Sequence, residues 1–143
     1  MNKVLIKYHC DDIDRIKSIS KGNWVDLRAA ETVALKAGED ALISLGVSMK
    51  LPEGYEAHLA PRSSTYGRWG VIQTNGIGII DNSYSGDNDI WCMPVHALRD
   101  TIINKNDRIC QFRLFEIMSP VGFEDTDHLD SVDRGGFGST GEN

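Results

Sequence analysis

The chain has 143 residues, of which 41% are hydrophobic, and a formal net charge of −6. That length suits a single domain with a buried core, and the acidic balance argues against a broad surface for duplex nucleic acid, which needs clustered Lys and Arg side chains. No apolar run approaches the length of a bilayer span, and the N-terminus lacks a signal-peptide pattern. We therefore expect a cytoplasmic protein with neither membrane association nor stable nucleic-acid binding.

The predicted elements are mostly short β-strands. In chain order, strands are predicted at residues 4–8, 24–29, 43–51, 55–60, 78–80, 90–95, 108–117 and 121–123. Short helices are predicted only at residues 13–19 and 63–68. Many short strands joined by Gly- and Pro-containing turns predict an all-β fold, either a sandwich, a jelly roll or a small barrel.

The C-terminal part of the chain differs in composition from the rest. Residues 124–133 are acidic and rich in turn formers, and a glycine-rich tail follows them. We therefore predict a β domain over residues 1–124 and a mobile arm over residues 125–143.

The cysteines and histidines give no pattern of a metal site. Cys10, Cys92 and Cys110 are odd in number and far apart, and the four histidines are scattered. This spacing predicts free thiols rather than a disulfide framework or a zinc site.

Asp26 places a carboxylate in a predicted strand that is otherwise largely apolar. An unpaired charge is costly there, so Asp26 should have a cationic or metal-linked partner. An ion pair with Arg28 or with a neighbouring chain is an equal candidate.

The run Pro61-Arg62-Ser63-Ser64-Thr65 follows a predicted strand and precedes a predicted helix. Hydroxyl and free N–H groups at a helix N-terminus, with an arginine beside them, favour an anion site. An ordinary helix cap with a surface arginine is an equal alternative.

The segment 75–86 is interpreted as a hairpin with functional groups at its mouth, because it places an apolar stretch between two glycines and ends it on Asp81 and Tyr84. Backbone groups at a hairpin edge can copy base pairing to a pyrimidine, and a carboxylate there could take a proton from water. The alternative is a plain turn at Asp81 stabilised by Asx hydrogen bonds.

Two further segments carry polar groups in informative places. Gln111 alternates with apolar neighbours in a predicted strand, so it either faces a ligand or satisfies a buried backbone group. In the glycine-rich tail, Ser139, Thr140 and successive N–H groups can donate to phosphate, and Phe137 could lie over a planar base. The alternative for the tail is a frayed terminus.

Taken together, five segments resemble the five ordered motifs of the trimeric dUTPase family, in the short variant of Gram-positive bacteria and their phages. They read Val-Asp-Leu-Arg-Ala-Ala, Pro-Arg-Ser-Ser, Gly-Ile-Ile-Asp-x-x-Tyr-x-Gly, Asp-Arg-Ile-x-Gln and Gly-Gly-Phe-Gly-Ser-Thr-Gly, between residues 24 and 141. The resemblance implies a jelly-roll-like β-barrel subunit in a homotrimer with active sites at subunit interfaces. It also implies hydrolysis of dUTP to dUMP and pyrophosphate with Mg²⁺.

The resemblance implies roles for the residues around the nucleoside. Asp81 would be the general base that activates the attacking water. Tyr84 would pack beneath the deoxyribose and exclude a 2′-hydroxyl. Asn75 and the backbone from Gly78 to Asp81, Ile80 included, would face the uracil edge, where a cytosine amino group would meet the wrong partners.

The remaining implied contacts concern the phosphates and the metal. Residues from three motifs would contact the phosphate chain: Arg62, Ser63, Ser64, Gln111, Gly138, Ser139 and Thr140. Phe137 would stack on uracil, and Asp26 would hold Mg²⁺ through water. Val132 stands where the family has a phosphate-clamping arginine, so whether Arg134 takes that role is open.

The sequence is compatible with two alternatives to a dUTP diphosphatase. A dCTP deaminase, or a bifunctional dCTP deaminase and dUTPase, shares this fold and parts of the motifs. A nucleotide-dependent regulatory binding protein is the alternative from a different functional class.

Overall fold

The computed structural model describes residues 2–17 and 22–138. Within these residues the chain forms eleven strands and one five-residue helix. The elements are β1 (Leu5–Tyr8), β2 (Val25–Arg28), β3 (Val33–Leu35), β4 (Asp40–Ser44), β5 (Val47–Lys50), β6 (Tyr55–Pro61), α1 (Thr65–Trp69), β7 (Val71–Gln73), β8 (Gly78–Ile80), β9 (Cys92–Ala97), β10 (Thr101–Ile103) and β11 (Arg108–Glu116). In the described ranges no helix is long and apolar enough to cross a membrane.

The strands form small antiparallel sheets. A four-stranded sheet has the order β2-β11-β6-β8, and a three-stranded sheet has the order β4-β9-β7. Two further pairs, β1 with β5 and β10 with β3, complete the strand pairing of the described residues. The predicted all-β architecture is therefore confirmed.

The core is formed by the inward side chains of these sheets. Its largest fully buried members include Trp91, Ile43 and Met93 from one side and Leu59 from the four-stranded sheet. The Trp91 ring meets the Phe112 ring edge to face, with 5.2 Å between their centroids. Such aromatic burial is a large hydrophobic contribution to stability, and it fixes the segment that precedes β9.

The predicted continuous strand at residues 43–51 is wrong, because the chain breaks it into β4 and β5 at Gly46. Gly46 has a φ of +67°, and a Cβ added there would lie 2.9 Å from the Cβ of Ala30. The backbone on both sides of this bend pairs with Trp91, since Leu45 N–H donates to the Trp91 carbonyl and Trp91 N–H donates to the Val47 carbonyl. The alternation of apolar residues continued through the bend and concealed it.

The hairpin interpretation of residues 75–86 is also wrong. β7 pairs with β9 in the three-stranded sheet, whereas β8 pairs with β6 in the four-stranded sheet. The intervening residues therefore carry the chain from one sheet to the other, with Gly76 at a φ of +69°. The Gln73 side chain supports this crossover by donating to the Leu59 carbonyl at 3.0 Å.

Other element predictions differ at the level of single strands. Residues 121–123 form no strand, and Phe123 is 92% exposed. Residues 13–17 are not helical, and the rest of the helix predicted at 13–19 lies outside the described residues. The three-residue strands β3, β7 and β10 were not predicted.

Candidate active site

A cleft of about 440 Å³ lies between the end of β8 and the start of β9. It gathers five of the residues predicted to surround the nucleoside: Asn75, Gly78, Ile80, Asp81 and Tyr84. It is also lined by Leu42, Trp91 and Cys92, which the sequence reasoning did not assign. Leu42 lies far before Asp81 along the chain, and Trp91 and Cys92 follow the loop that carries Asp81, so no local pattern placed them beside it.

Asp81 lies in the loop that follows β8, and its carboxylate is exposed. The Ser83 hydroxyl and the Ser83 N–H donate to Asp81 Oδ1 at 2.6 and 2.8 Å. These bonds favour the charged form and hold the pKa of Asp81 below its usual value. The Asx turn considered from sequence is therefore present, and it leaves an ionised carboxylate at the cleft.

The loop that carries Asp81 is held in place by its neighbour Asn82. Asn82 Nδ2 donates to the Pro52 carbonyl at 2.9 Å and to the Tyr55 carbonyl at 2.7 Å. This side chain links the loop to the turn before β6 and satisfies two backbone acceptors. Asn82 is thus a supporting residue that sequence reasoning missed.

Tyr84 is 43% exposed and belongs to the wall of the same cleft. Its hydroxyl donates to the Ile90 carbonyl at 3.2 Å, and its N–H donates to the Asp81 carbonyl. Burial, and to a lesser extent the neighbouring Asp89 and Cys92, raise the pKa of the Tyr84 phenol, so it stays neutral at physiological pH. The phenol hydroxyl and the backbone of Tyr84 are therefore both hydrogen-bonded, which fixes the residue beside Asp81.

A second group of predicted residues centres on Asp26 in β2. Arg62 Nε lies 3.2 Å from Asp26 Oδ1, and Arg108 Nη1 lies 3.3 Å from Asp26 Oδ2. The cationic partner expected for Asp26 is therefore an arginine pair. It is not Arg28, which instead pairs with Asp14 at 3.4 Å.

The residues before α1 are held by a threonine that sequence reasoning did not assign. The Thr65 hydroxyl accepts a hydrogen bond from Arg62 N–H at 2.8 Å and donates to the Ile109 carbonyl at 2.9 Å. Ser64 occupies the N-cap position without a side-chain capping bond, and Ser63 is exposed. The two serine hydroxyls are therefore not committed to capping α1.

Gln111 lies directly opposite Asp26 in the pairing of β11 with β2. Its Nε2 donates to the Pro61 carbonyl at 3.1 Å, and the side chain is half-buried. Gln111 therefore satisfies a backbone group, as one of the two sequence interpretations required. Its position also brings it beside the Asp26 and Arg62 pair.

The two groups lie far apart within one chain. Asp26 of β2 lies opposite Gln111 of β11, and Gln111 lies opposite Ala60 of β6. Asp81 follows Ile80 of β8, which lies opposite Ala57 of β6. Three strand spacings across the sheet and four residues along it separate Asp26 from Asp81, a distance on the order of 20 Å. One protomer therefore does not bring Asp81 to the Arg62 cluster.

The tail residues that the structure describes stay away from the cleft. Arg134 and Phe137 are exposed, and neither lines the cleft around Asp81. Phe137 has a φ of +49° and the following Gly138 a φ of +85°, so the backbone turns sharply here. Ser139 and Thr140, which were assigned to phosphate binding, lie outside the described residues.

The donor groups fit Mg²⁺ only as a companion of phosphate oxygens. Among the described residues no cluster of three or more His, Cys, Asp or Glu side chains could hold a metal ion. Asp26 is the carboxylate of the Arg62 cluster, and both its oxygens face guanidinium groups. Mg²⁺ commonly keeps several waters and binds through one or two carboxylates plus substrate phosphates, so Asp26, whose oxygens are already paired with arginines, would meet the ion only through water.

Comparison with known proteins gives a consistent result. The model of the dUTPase family matches residues 19–141. The SPbeta prophage-derived deoxyuridine 5'-triphosphate nucleotidohydrolase YosS of Bacillus subtilis is 57% identical over 97% of this chain and 98% of its own length. The deoxyuridine 5'-triphosphate nucleotidohydrolase of Neorickettsia sennetsu is 32% identical over 97% of this chain and 95% of its own length.

Solved structures share the fold. The dUTPase of Staphylococcus bacteriophage 80alpha with dUPNHPP matches with a TM-score of 0.80 at 22% identity, over 99% of both chains. A mutant dUTPase from phage phi11 of S. aureus, described with a structural Mg(II) ion, matches with a TM-score of 0.76 at 18% identity, over 91% of this chain and 100% of its own. The jelly-roll-like prediction is confirmed by this likeness. By its motifs, its fold and its relatives, the chain belongs to the dUTPase family.

Proposed function

We propose that this chain is a dUTP diphosphatase that hydrolyses dUTP to dUMP and pyrophosphate in the cytoplasm. Such an activity limits uracil incorporation into DNA and supplies dUMP for dTMP synthesis. The observation that carries the proposal is the cleft in which the ionised Asp81 and the neutral Tyr84 meet Asn75 and Gly78. A member of the dUTPase family needs these groups together, and they are contributed by β8 and by the connecting segments on either side of it.

The uracil ring would be read by the backbone of β8. β8 lies at the edge of the four-stranded sheet and pairs with β6 on one side, and no other described strand pairs with it. An edge strand offers N–H and C=O groups that can bind an extended hydrogen-bonding edge. Asn75 and the backbone of Gly78 and Ile80 would supply the complement to uracil, and Tyr84 would pack under the deoxyribose.

Asp81 would act as the general base. Its carboxylate takes a proton from a water molecule while the water oxygen forms a bond to the α-phosphorus. The bond from that phosphorus to the bridging oxygen breaks, and pyrophosphate leaves with the bonding electrons. Because the bonds from Ser83 keep Asp81 ionised, the base is ready at neutral pH.

The phosphate chain would be held by the second group of residues. Arg62, Ser63, Ser64 and Gln111 would donate hydrogen bonds to phosphate oxygens, which orients the chain for in-line attack. When bound, Mg²⁺ supplies positive charge that offsets the negative charge on the leaving pyrophosphate. Asp26 would hold this ion through water.

The separation of the two groups supports active sites shared between subunits, as in the homotrimer that we propose. A base must reach the water it activates, and about 20 Å exceeds the span of a triphosphate chain. A site built from Asp81 of one subunit and the Arg62 cluster of another removes this difficulty. The distance between Asp26 and Asp81 in one chain supports such sharing.

The C-terminal arm over residues 125–143 would close the site. Phe137 would stack on uracil, and Gly138, Ser139 and Thr140 would bind the terminal phosphate, with Arg134 as the nearby cation. The full exposure of Phe137 supports this role, since a large aromatic side chain outside the core is available to cover a ligand. Closure would exclude water other than the nucleophile.

The test is pyrophosphate release from dUTP, dCTP, UTP and dTTP, measured in parallel with Mg²⁺ and with chelator. We expect rapid Mg²⁺-dependent release from dUTP alone, and the loss of turnover in Asp81→Asn with dUTP binding retained. Release from dCTP would instead indicate the bifunctional deaminase, which the comparisons do not favour. Binding of dUTP without release from any nucleotide would indicate the nucleotide-dependent regulator.

A further inference from the structure

We infer that Arg108 is a positioning residue of the phosphate site: it holds the carboxylate of Asp26, and Asp26 in turn orients the guanidinium of Arg62. This inference rests on the proposed function and assigns a role to a residue outside the set predicted from sequence. Arg108 acts through Asp26 and not by contact with the nucleotide.

The contacts form a closed arrangement. Asp26 Oδ1 faces Arg62 Nε at 3.2 Å, and Asp26 Oδ2 faces Arg108 Nη1 at 3.3 Å. Arg62 Nη1 donates to the Arg108 carbonyl at 3.0 Å. Arg62 is therefore fixed from two directions, and Arg108 takes part in both, through its side chain and through its backbone.

Arg62 and Asp26 are less exposed to water than Arg108, so the contacts among them matter for the Asp26 carboxylate. The side chain of Arg62 is 19% exposed and that of Asp26 is 30% exposed, whereas that of Arg108 is 50% exposed. A partly desolvated carboxylate needs its positive partners, because water stabilises it less than at the surface. With Arg108 in place, Asp26 shares its charge between two guanidinium groups, and Arg62 keeps N–H donors for phosphate.

A β-bulge puts Arg108 where it can do this. In the pairing of β11 with β2, Arg108 lies opposite Arg28 and Cys110 lies opposite Leu27. Moving two residues along β11 therefore corresponds to moving one residue along β2, so β11 has one extra residue here. Ile109 and Cys110 are both fully buried as a result, which breaks the alternation of a regular strand. Bulges redirect side chains next to functional sites, and here the bulge directs Arg108 outward beside Asp26.

The test is a double-mutant cycle between positions 108 and 26, with Arg108→Lys as the conservative variant. Steady-state kinetics with dUTP and the dissociation constant of the imido analogue dUPNHPP, with Mg²⁺ and with chelator, are measured for each protein. We expect Arg108→Ala to raise KM and the analogue's dissociation constant about tenfold and to change kcat less than threefold, the size of one charge-assisted hydrogen bond. Arg108→Lys should recover most of this loss.

The cycle decides whether Arg108 works through Asp26. In an Asp26→Asn background, Arg108→Ala should raise KM and the dissociation constant of dUPNHPP by less than about twofold, because the carboxylate that Arg108 positions is already altered. Additive losses would mean that Arg108 contacts the nucleotide directly, and wild-type constants in Arg108→Ala would mean that it has no role. Either result overturns the inference.

Controls distinguish a failure of the inference about Arg108 from a failure of the proposed function. Lys50→Ala removes one positive charge at the exposed end of β5 and should leave every constant unchanged. If the wild-type protein bound dUPNHPP but did not hydrolyse dUTP, the proposed function would be wrong, and the cycle would still be decided by analogue binding. Circular dichroism of each variant identifies any loss that comes from misfolding.

Discussion

At the scale of single residues, the chemistry of the cleft depends on how Asp81 is kept ionised. The Ser83 hydroxyl is the largest cause of the lowered pKa of Asp81, and the Ser83 N–H is the second. Ser83→Ala removes the first and keeps the second, so the pKa of Asp81 should rise. The base form is then lost at a higher pH, and the acidic limb of the kcat/KM profile for dUTP should move to higher pH.

The control for this prediction is Ser85→Ala, which removes a hydroxyl two residues farther along the same loop. Ser85 is not among the groups that lower the pKa of Asp81. Its pH profile should match that of the wild type. An unmoved acidic limb in Ser83→Ala would show that Ser83 does not tune the base during turnover.

Tyr84 gives a second prediction at this scale. If its ring fills the space that a 2′-hydroxyl would need, Tyr84→Ala should let UTP compete with dUTP and reduce the preference for dUTP by about tenfold or more. Tyr84→Phe keeps the ring and loses only the bond to the Ile90 carbonyl, so it should keep most of the preference. Competition assays with UTP measure both, and an unchanged preference in Tyr84→Ala would assign sugar selection to another group.

At the scale of elements, the bend between β4 and β5 is a requirement of the fold. Gly46 has a positive φ, and a methyl group there would contact Ala30. Gly46→Ala should therefore destabilise the protein by about 2–3 kcal/mol, from the left-handed backbone and the close contact together. Thermal or urea unfolding measures this change.

Gly54→Ala is the matched control for Gly46→Ala. Gly54 also has a positive φ, of +85°, but no atom lies within 4 Å of an added Cβ. Gly54→Ala should therefore lower the free energy of unfolding only by the cost of the left-handed backbone, about 1–2 kcal/mol. Equal losses in the two variants would show that the contact with Ala30 contributes nothing.

Elements with strong local signals could be predicted from the sequence. β8 was predicted with its observed bounds, and Asp81 and Tyr84 meet in one cleft because one loop carries both. The strands that the sequence did not predict depend on pairing with distant segments. β3, for example, is three residues long and pairs with β10, which lies far along the chain. No local pattern contains such a partner.

The same limit explains the mixed outcome at the second group. The sequence predicted a cationic or metal-linked partner for Asp26, with an ion pair to Arg28 or to a neighbouring chain as an equal candidate. The partners come instead from the end of β6 and from the bulge in β11. A bulge changes which residues face outward, and the apolar pattern of β11 gives no sign of it. The roles of these residues in binding stay predictions.

At the scale of the whole molecule, the arm and the β domain should be separable. Of the residues 134–143, those that the structure describes are exposed and none belongs to the core, so a chain without this segment should fold with an unchanged melting temperature. We expect kcat for dUTP to fall by about 100-fold, with a smaller change in KM, because closure is needed in the transition state. Full activity of the shortened chain would show that the tail is only a terminus.

The assembly can be tested by mixing two inactive proteins. Size-exclusion chromatography with light scattering should first give three times the protomer mass of 15.9 kDa. Asp81→Asn and Arg62→Ala chains, unfolded together in equal amounts and refolded, would form mixed trimers. If each site takes Asp81 from one subunit and Arg62 from another, about one quarter of the sites regain both groups by random assortment. Each mutant refolded alone should stay inactive. If both groups of a site came from one subunit, no site in the mixture would be complete, so absence of activity in verified mixed trimers would contradict the shared site.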